Sequence, residues 1–178
     1  QITFHHQAEA YFSHLVKESS LIKHQVYGQT NEERNLNVYF VSTPENLANL
    51  DQIRKNNLSA IGLSNQQNQK IGDKLIVWIS FSVHGNEYAG MESAMTVAYE
   101  LLNPSNKETK EWLKNTIVIL DPCENPDGQS RYANWLREIS GKKTHPGLSD
   151  REHMEVWPGG RYNHYVFDLN RDWAWQTQ

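Results

Sequence analysis

The chain has 178 residues with 38% hydrophobic and 11% aromatic content, enough to bury one substantial core and within the usual size of a single domain. Its 17 Lys and Arg against 21 Asp and Glu leave a formal charge of -4, so electrostatics offer no reason to expect nucleic acid or an anionic membrane surface as partner. The longest apolar run, Leu75 to Val83, is interrupted by Ser80 and Ser82 and falls short of the ~20 residues that cross a bilayer, which predicts a soluble chain.

In chain order, Gln1 stands where a Met would start a primary product, and no charged start with an apolar stretch follows it, which predicts processed or cut ends. A helix is expected from His5 to Glu18, where Ala8, Tyr11, Phe12, Leu15 and Val16 share one face and Thr3 is available as a cap. Gln25 to Tyr27 and Asn37 to Ser42 read as strands joined by the polar stretch Asn31 to Asn35, hence an antiparallel hairpin near a sheet edge. Thr43-Pro44-Glu45 opens a second helix reaching Lys55, because proline at the first helical position forfeits no hydrogen bond and a carboxylate favours the positive end. The polar stretch Gly62 to Lys70 reads as a loop, and Leu75 to Val83 as the most strand-like segment, central and buried. Beyond the loop His84-Gly85-Asn86-Glu87, apolar Met91, Ala94, Met95, Ala98 and Leu102 recur at helical spacing until Asn103-Pro104. A short helix over Glu108 to Lys114 leads into the strand Thr116 to Leu120, which stops at Asp121-Pro122. Gly141 to Tyr165 is irregular, with two proline-containing turns and a short helix over Arg151 to Glu155, and Val166 to Leu169 is a last short apolar run. Strands and helices alternate without repeat or linker, which predicts one α/β layered sheet. Cys123 is the sole cysteine, so neither an internal disulfide nor a cysteine-rich metal cluster is available.

A histidine and a glutamate three apart on the turn after a buried strand can converge on one cation. The neutral imidazole nitrogen and hard carboxylate oxygen of His84 and Glu87 suit a hydrolytic zinc site that keeps a position open for water. Taken alone, that spacing more often describes a surface histidine and a helix-capping glutamate. Its location adds weight, because α/β sheets gather ligands at the carboxyl ends of strands. Two further segments fall at corresponding ends: Asn125-Pro126-Asp127-Gly128 with Arg131 after Leu120, and Asp168-Leu169-Asn170-Arg171 after Phe167. The remaining histidines, His5, His6, His14, His24, His145, His153 and His164, lack a partner at ligand spacing, although His164 precedes the Asp168 segment and can approach the cleft. Trp157, Trp173 and Trp175 read as core or pocket walls.

In this order the three motifs resemble the N-terminal portion of the catalytic domain of the metallocarboxypeptidase family, a match spanning nearly the whole chain. The resemblance implies an α/β fold with a mixed, mostly parallel central sheet flanked by helices, incomplete on its C-terminal side, with residues 1–178 as part of a single zinc peptidase domain. It implies His84 and Glu87 as zinc ligands and Asn170 with Arg171 as binders of a substrate's terminal carboxylate. A planar guanidinium fork with a neighbouring amide suits that anion. Asp168 is implied as the carboxylate that accepts the remaining ring proton of His84 and so fixes its tautomer. The oxyanion-stabilising arginine of the family lies downstream of the Asn-Pro-x-Gly turn, where Arg131 is nearest and Arg137, on a helix face near Trp135 and Leu136, is the alternative. A surface salt bridge would otherwise account for Arg131, and an ion pair with Asp168 or Asp172 for Arg171.

The activity so implied is hydrolysis of C-terminal residues from peptides by zinc-activated water, at an extracellular or periplasmic address. Zinc-dependent deacylases and amidases share the pair, and a non-catalytic module holding a peptide's terminal carboxylate on Arg171 is a further alternative. The family takes its third zinc ligand, a histidine, and its general-base glutamate from positions beyond Gln178. The expectation is therefore weak zinc binding, no activity from the chain alone, and self-association through an unpaired sheet edge.

Overall fold

The computed structural model describes residues 2–63 and 74–178, so most of the polar stretch from Gly62 to Lys70 lies outside the described residues. Helix α1 (His5–Glu18) has the expected bounds and buries Ala8 and Phe12. Strands β1 (Ile22–Gln29) and β2 (Asn35–Val41) form the expected antiparallel hairpin, with a bulge between Val26 and Gly28. Pro44 opens a helix under the Thr43 cap, as its sequence demands, but Asn49 leaves helical geometry (φ -111°, ψ 19°). The single helix expected there is therefore divided into α2 (Pro44–Ala48) and α3 (Leu50–Ala60). Next come β3 (Leu75–Ser80), α4 (Ala89–Leu102), α5 (Lys107–Leu113), β4 (Thr116–Asp121) and α6 (Pro126–Ile139). Helix α6 extends well beyond the face expected around Trp135 and Arg137. Its start signal is the Asn125 cap, whose Oδ1 accepts the Gly128 N–H at 2.9 Å, followed by Pro126 at the first position. Thr3 does not cap α1. Its N–H donates to Glu92 Oε1 at 2.9 Å and its carbonyl accepts from Gln129, tying the N-terminus to α4 and α6.

The sheet runs in the order β1-β2-β4-β3. The mixed α/β class is as implied, but among the described strands the sheet is mostly antiparallel rather than mostly parallel. Pairings β1–β2 and β2–β4 are antiparallel, and β3–β4, joined through α4 and α5, is parallel, because returning in the same direction needs a crossover. Tyr39, Val41, Val118 and Leu120 face one side and pack on Phe12 of α1 and on Ala94 and Ala98 of α4. Phe12 stacks on Tyr39 with ring centroids 4.4 Å apart, and burial of such a side chain contributes roughly 1.5–3 kcal/mol. Helices α2 and α3 lie beside the opposite face, where Leu47 of α2 and Ile53 of α3 border a groove against Phe40 and Ile119.

Two expectations fail on tertiary grounds. Strand β3 is not central and buried: it ends the described sheet, and Leu75, Ile76, Val77 and Trp78 are exposed, Trp78 at 60%. A continuous apolar run reports that a strand is built for cover on both faces, not that a neighbour is present. Val166 to Leu169 forms no strand either. Val166 takes φ 66°, and Asn163 Oδ1 accepts the N–H groups of Tyr165 and Phe167 at 3.0 and 2.9 Å, closing a loop that feeds a 3-10 turn at Leu169–Arg171. The helix expected over Arg151 to Glu155 is a single 3-10 turn, Arg151–His153. No helix among the described residues is long and apolar enough to cross a membrane.

Candidate metal centre and carboxylate site

The segments leaving β3 and β4 stay zipped together beyond the sheet. Phe81 N–H donates to the Asp121 carbonyl at 2.9 Å, Glu124 N–H to Phe81 at 3.0 Å, and Asn125 N–H to Ser82 at 3.2 Å. Ser82, at φ 53°, turns the chain so that His84 follows directly over this junction. A third strand of backbone then joins: Gly85 N–H donates to the Gly160 carbonyl at 2.9 Å. No Cβ fits where these chains meet. One on Gly85 would stand 2.0 Å from Gln129 N and 2.2 Å from Gly128 C, and one on Gly128 would stand 2.2 Å from Gly160 O. The glycines of the His-Gly-Asn-Glu and Asn-Pro-Asp-Gly segments are thus demanded by close backbone approach.

His84 is buried, its side chain 4% exposed, and is clamped between two carboxylates. Nε2 lies 2.8 Å from Asp168 Oδ1 and Nδ1 lies 2.9 Å from Glu87 Oε1. Burial works against the charge on Asp168, but hydrogen bonds from His84 and Arg161 outweigh it and hold the carboxyl below the usual carboxylate range. Asp168 fixes the ring through Nε2, which leaves Nδ1 turned to Glu87 Oε1 in a hydrogen bond, and an imidazole nitrogen and a carboxylate oxygen so placed can instead share a cation. Arg161 supplies positive charge at this point. Its Nε and Nη2 donate to Asp168 Oδ2 at 3.0 and 2.9 Å, while Nη1 is 3.2 Å from His84 Nδ1.

The donor set fits zinc in part. A neutral imidazole nitrogen and a carboxylate oxygen at near-contact need to open by only a few tenths of an ångström to take two corners of a tetrahedral site with bonds of about 2.0–2.2 Å. Among the described residues no group of three or more His, Cys, Asp or Glu is placed to hold a metal ion. The pair accordingly supplies an incomplete coordination shell.

Arg131 is turned to another task. Its Nε and Nη2 donate to the carbonyls of Gly159 and Tyr162 at 3.0 and 2.6 Å, and its Nη1 to Glu32 at 3.3 Å. Asn125 Nδ2 donates to the carbonyls of Arg161 and Tyr162, both at 3.2 Å. Both side chains therefore clamp the loop that carries Arg161, and Arg131 makes no hydrogen bond to His84, Glu87 or Asp168. Arg137 sits over the Phe4 ring, its guanidinium carbon 5.3 Å from the centroid, at the far end of α6. Asp127 is buried and accepts from Thr30 and Arg34 at 2.8 and 2.6 Å, which locks the β1–β2 turn onto α6. Asn170 and Arg171 lie on the 3-10 turn immediately after Asp168, whose side chain accepts the Asn170 N–H at 3.1 Å. Both are exposed, and their side chains make no hydrogen bond or ion pair with the described residues. Asp168 is paired with Arg161 and Asp172 with Thr177, so neither is the structural partner of Arg171.

Arg161 is the residue that sequence reasoning misses. It lies in the irregular stretch, behind Gly159-Gly160, and its position only seven residues before Asp168 was the available signal. His164 lines, with Asp121, Glu124, Asn125, Trp78 and Trp173, a cavity of 550 Å³ whose lining does not include His84, Glu87, Arg161 or Asp168. At its base Asp121 Oδ2 accepts from Tyr27 at 2.8 Å and Oδ1 has no partner among the described residues. Burial raises the Asp121 carboxyl to about 6, and burial together with Asp121 raises Glu124 to about 7.

The sequence matches the family model described as zinc carboxypeptidase over residues 8–178. No curated protein matches it significantly. Its fold is similar to that of a metallo-carboxypeptidase from Burkholderia cenocepacia, with a TM-score of 0.58 at 14% identity, covering 96% of this chain and 32% of the other. It is likewise similar to the carboxypeptidase A of Helicoverpa armigera, with a TM-score of 0.56 at 14% identity, covering 97% of this chain and 42% of the other. The chain thus spans about a third of the length of the bacterial structures it matches.

Proposed function

Because the chain belongs to the zinc carboxypeptidase family, we propose that it forms the N-terminal part of one catalytic domain that removes C-terminal residues from peptides outside the cytoplasm. The observation that carries this reading is the clamped imidazole: His84 held by Asp168 on one side and aimed at Glu87 on the other, 2.8 and 2.9 Å away. His84 Nδ1 and Glu87 Oε1 are the two atoms that would hold zinc. When bound, zinc supplies Lewis acidity, polarising a carbonyl and activating water. The remaining roles belong to the chain's own side chains. Asp168 keeps the His84 ring in one orientation and tautomer. Arg161, rather than Arg131 or Arg137, faces the reacting oxygen, since its Nη1 already lies on the His84–Glu87 side, where a guanidinium stabilises charge developing on a carbonyl. Arg171 and Asn170, exposed and uncommitted, receive the terminal carboxylate. With two protein donors in the described residues, zinc is held weakly and the chain alone does not turn over peptide.

Two titrations test this. Zinc binding is followed by competition with a chromophoric chelator, and His84→Ala and Glu87→Gln each abolish it; zinc held equally well without His84 refutes the site. A peptide with a free C-terminus binds more tightly than its amide, and Arg171→Ala removes the difference. Peptide binding that requires Arg171 in a chain that takes up no zinc, and is blind to chelators, would replace the enzyme reading with a peptide-binding module.

A further inference from the structure

The guanidinium of Arg161 lies beside both His84 and Glu87. Nη1 is 3.2 Å from His84 Nδ1 and 3.8 Å from Glu87 Oε1, and the rest of the group is anchored on Asp168 Oδ2 by Nε and Nη2 at 3.0 and 2.9 Å. The anchored half and the bridging half are separable. Nε and Nη2 are committed to a carboxylate oxygen that His84 does not use, since His84 takes Oδ1 and Arg161 takes Oδ2. Only Nη1 reaches toward the two candidate metal donors.

We propose that Arg161 is a built-in counter-cation of the His84–Glu87 pair, which a divalent metal must displace, so that metal loading and release of Nη1 are one event. The inference rests on the reading that these two side chains hold zinc. The guanidinium sets positive charge beside the His84–Glu87 contact, which is 2.9 Å, and is itself 3.8 Å from the Glu87 carboxylate. With metal, the guanidinium and the ion are like charges at short range, so Nη1 loses both contacts while the Asp168 anchor keeps the group beside the site. A freed donor held next to the metal is positioned for a substrate oxygen.

The experiment uses the full chain and three variants, Arg161→Gln, Arg161→Lys and His84→Ala, with zinc ion as the probe. Competition with a chromophoric chelator gives zinc affinity, and Arg161→Gln is expected to bind at least about tenfold more tightly than the unaltered chain, because a competing cation is gone. Arg161→Lys, which keeps the charge, stays within a few-fold of the unaltered chain. Affinity in Arg161→Gln equal to or weaker than the unaltered chain overturns the proposal. A second readout avoids dependence on the folding of any Arg161 variant: in the unaltered chain labelled with ¹⁵N, the Arg161 side-chain Nε–H resonance shifts in step with zinc saturation, and in His84→Ala it does not. A resonance that stays fixed while zinc saturates the site also overturns it. If no chain binds zinc, the proposed metal site fails and this inference with it. If His84→Ala abolishes binding but Arg161→Gln leaves affinity unchanged, only the inference fails.

Discussion

Replacing Gly85 by alanine tests the claim that three backbone segments must touch for the site to exist. The added methyl would sit 2.0 Å from Gln129 N, 2.2 Å from Gly128 C and 2.7 Å from Gly160 O, whereas ordinary contact begins at 3.4 Å. The nearest atom must therefore retreat by about 1.4 Å, and because all three are backbone atoms no side chain can swing aside. The first turn of α6 resists that shift: the Asn125 cap, the bonds from Asn125 Nδ2 to two loop carbonyls and the buried Asp127 pairings all hold it. Overpacking of this kind costs about 1–3 kcal/mol. Loss of the Gly85–Gly160 hydrogen bond adds about 1 kcal/mol, and disturbance of the Asn125–Ser82 bond about as much again, for a total of roughly 3–5 kcal/mol. That is a large share of the ~5–15 kcal/mol that stabilises a typical domain. Urea unfolding followed by far-ultraviolet circular dichroism measures it, with Gly28→Ala as the control. A Cβ at Gly28 meets Leu36 at an ordinary 3.6 Å, so that variant stays within about 1 kcal/mol of the unaltered chain. If Gly85→Ala unfolds within about 0.5 kcal/mol of the unaltered chain, the close-approach reasoning is wrong.

Asp168→Asn keeps an acceptor for His84 but loses the charge that orients it, and lowers zinc affinity by about 10–100-fold in the chelator competition; unchanged affinity contradicts the positioning role. Asp121, raised to about 6 by burial, stabilises the fold fully below its unfolded value near ~4 and loses that contribution as pH rises through about 6. Asp121→Asn, which still accepts from Tyr27, is therefore more stable than the unaltered chain at pH ~7.5 and flattens its denaturant midpoint between pH ~4 and ~6; a lower midpoint at the higher pH counts against the sign. Asp168, held below the usual carboxylate range, acts oppositely: its contribution is present above ~4 and is lost on acidification, so Asp168→Asn removes part of the acid limb of the midpoint curve. The outer edge of β3 has no strand partner among the described residues and is expected to drive self-association at high concentration, which Trp78→Lys suppresses in sedimentation velocity; identical sedimentation of the two chains rules that edge out.

Much of the candidate site's layout was legible because its spacings are local. His84 and Glu87 are three residues apart, Asp168 precedes Asn170 and Arg171 directly, and each set lies at a break between apolar runs. The hairpin, α1 and the crossover from β3 to β4 follow from periodicity and capping in the same way. Arg161 was not legible, because its segment is neither strand nor helix, and its place seven residues before Asp168 is by itself too slight a signal to set it above Arg131. The structure separates them through bonds to carbonyls: Arg131 and Asn125 grip the backbone of residues 159–162 and leave the Arg161 side chain to turn inward. The exposed edge at β3 was misread for a related reason, since an apolar strand looks the same whether or not its neighbour is present.

The sequence by itself determined which side chains have the chemistry to bind a metal or a carboxylate, and most of the segments that become helix or strand, because both depend on residue type and on spacings of a few positions. Only the tertiary structure decided which arginine shares the imidazole, which glycines must lack a side chain, and which strand lies at the edge. Those depend on atoms 28 to 84 residues apart being brought within about 3 Å, as in Arg131 to Gly159 and His84 to Asp168, and no local pattern encodes that distance.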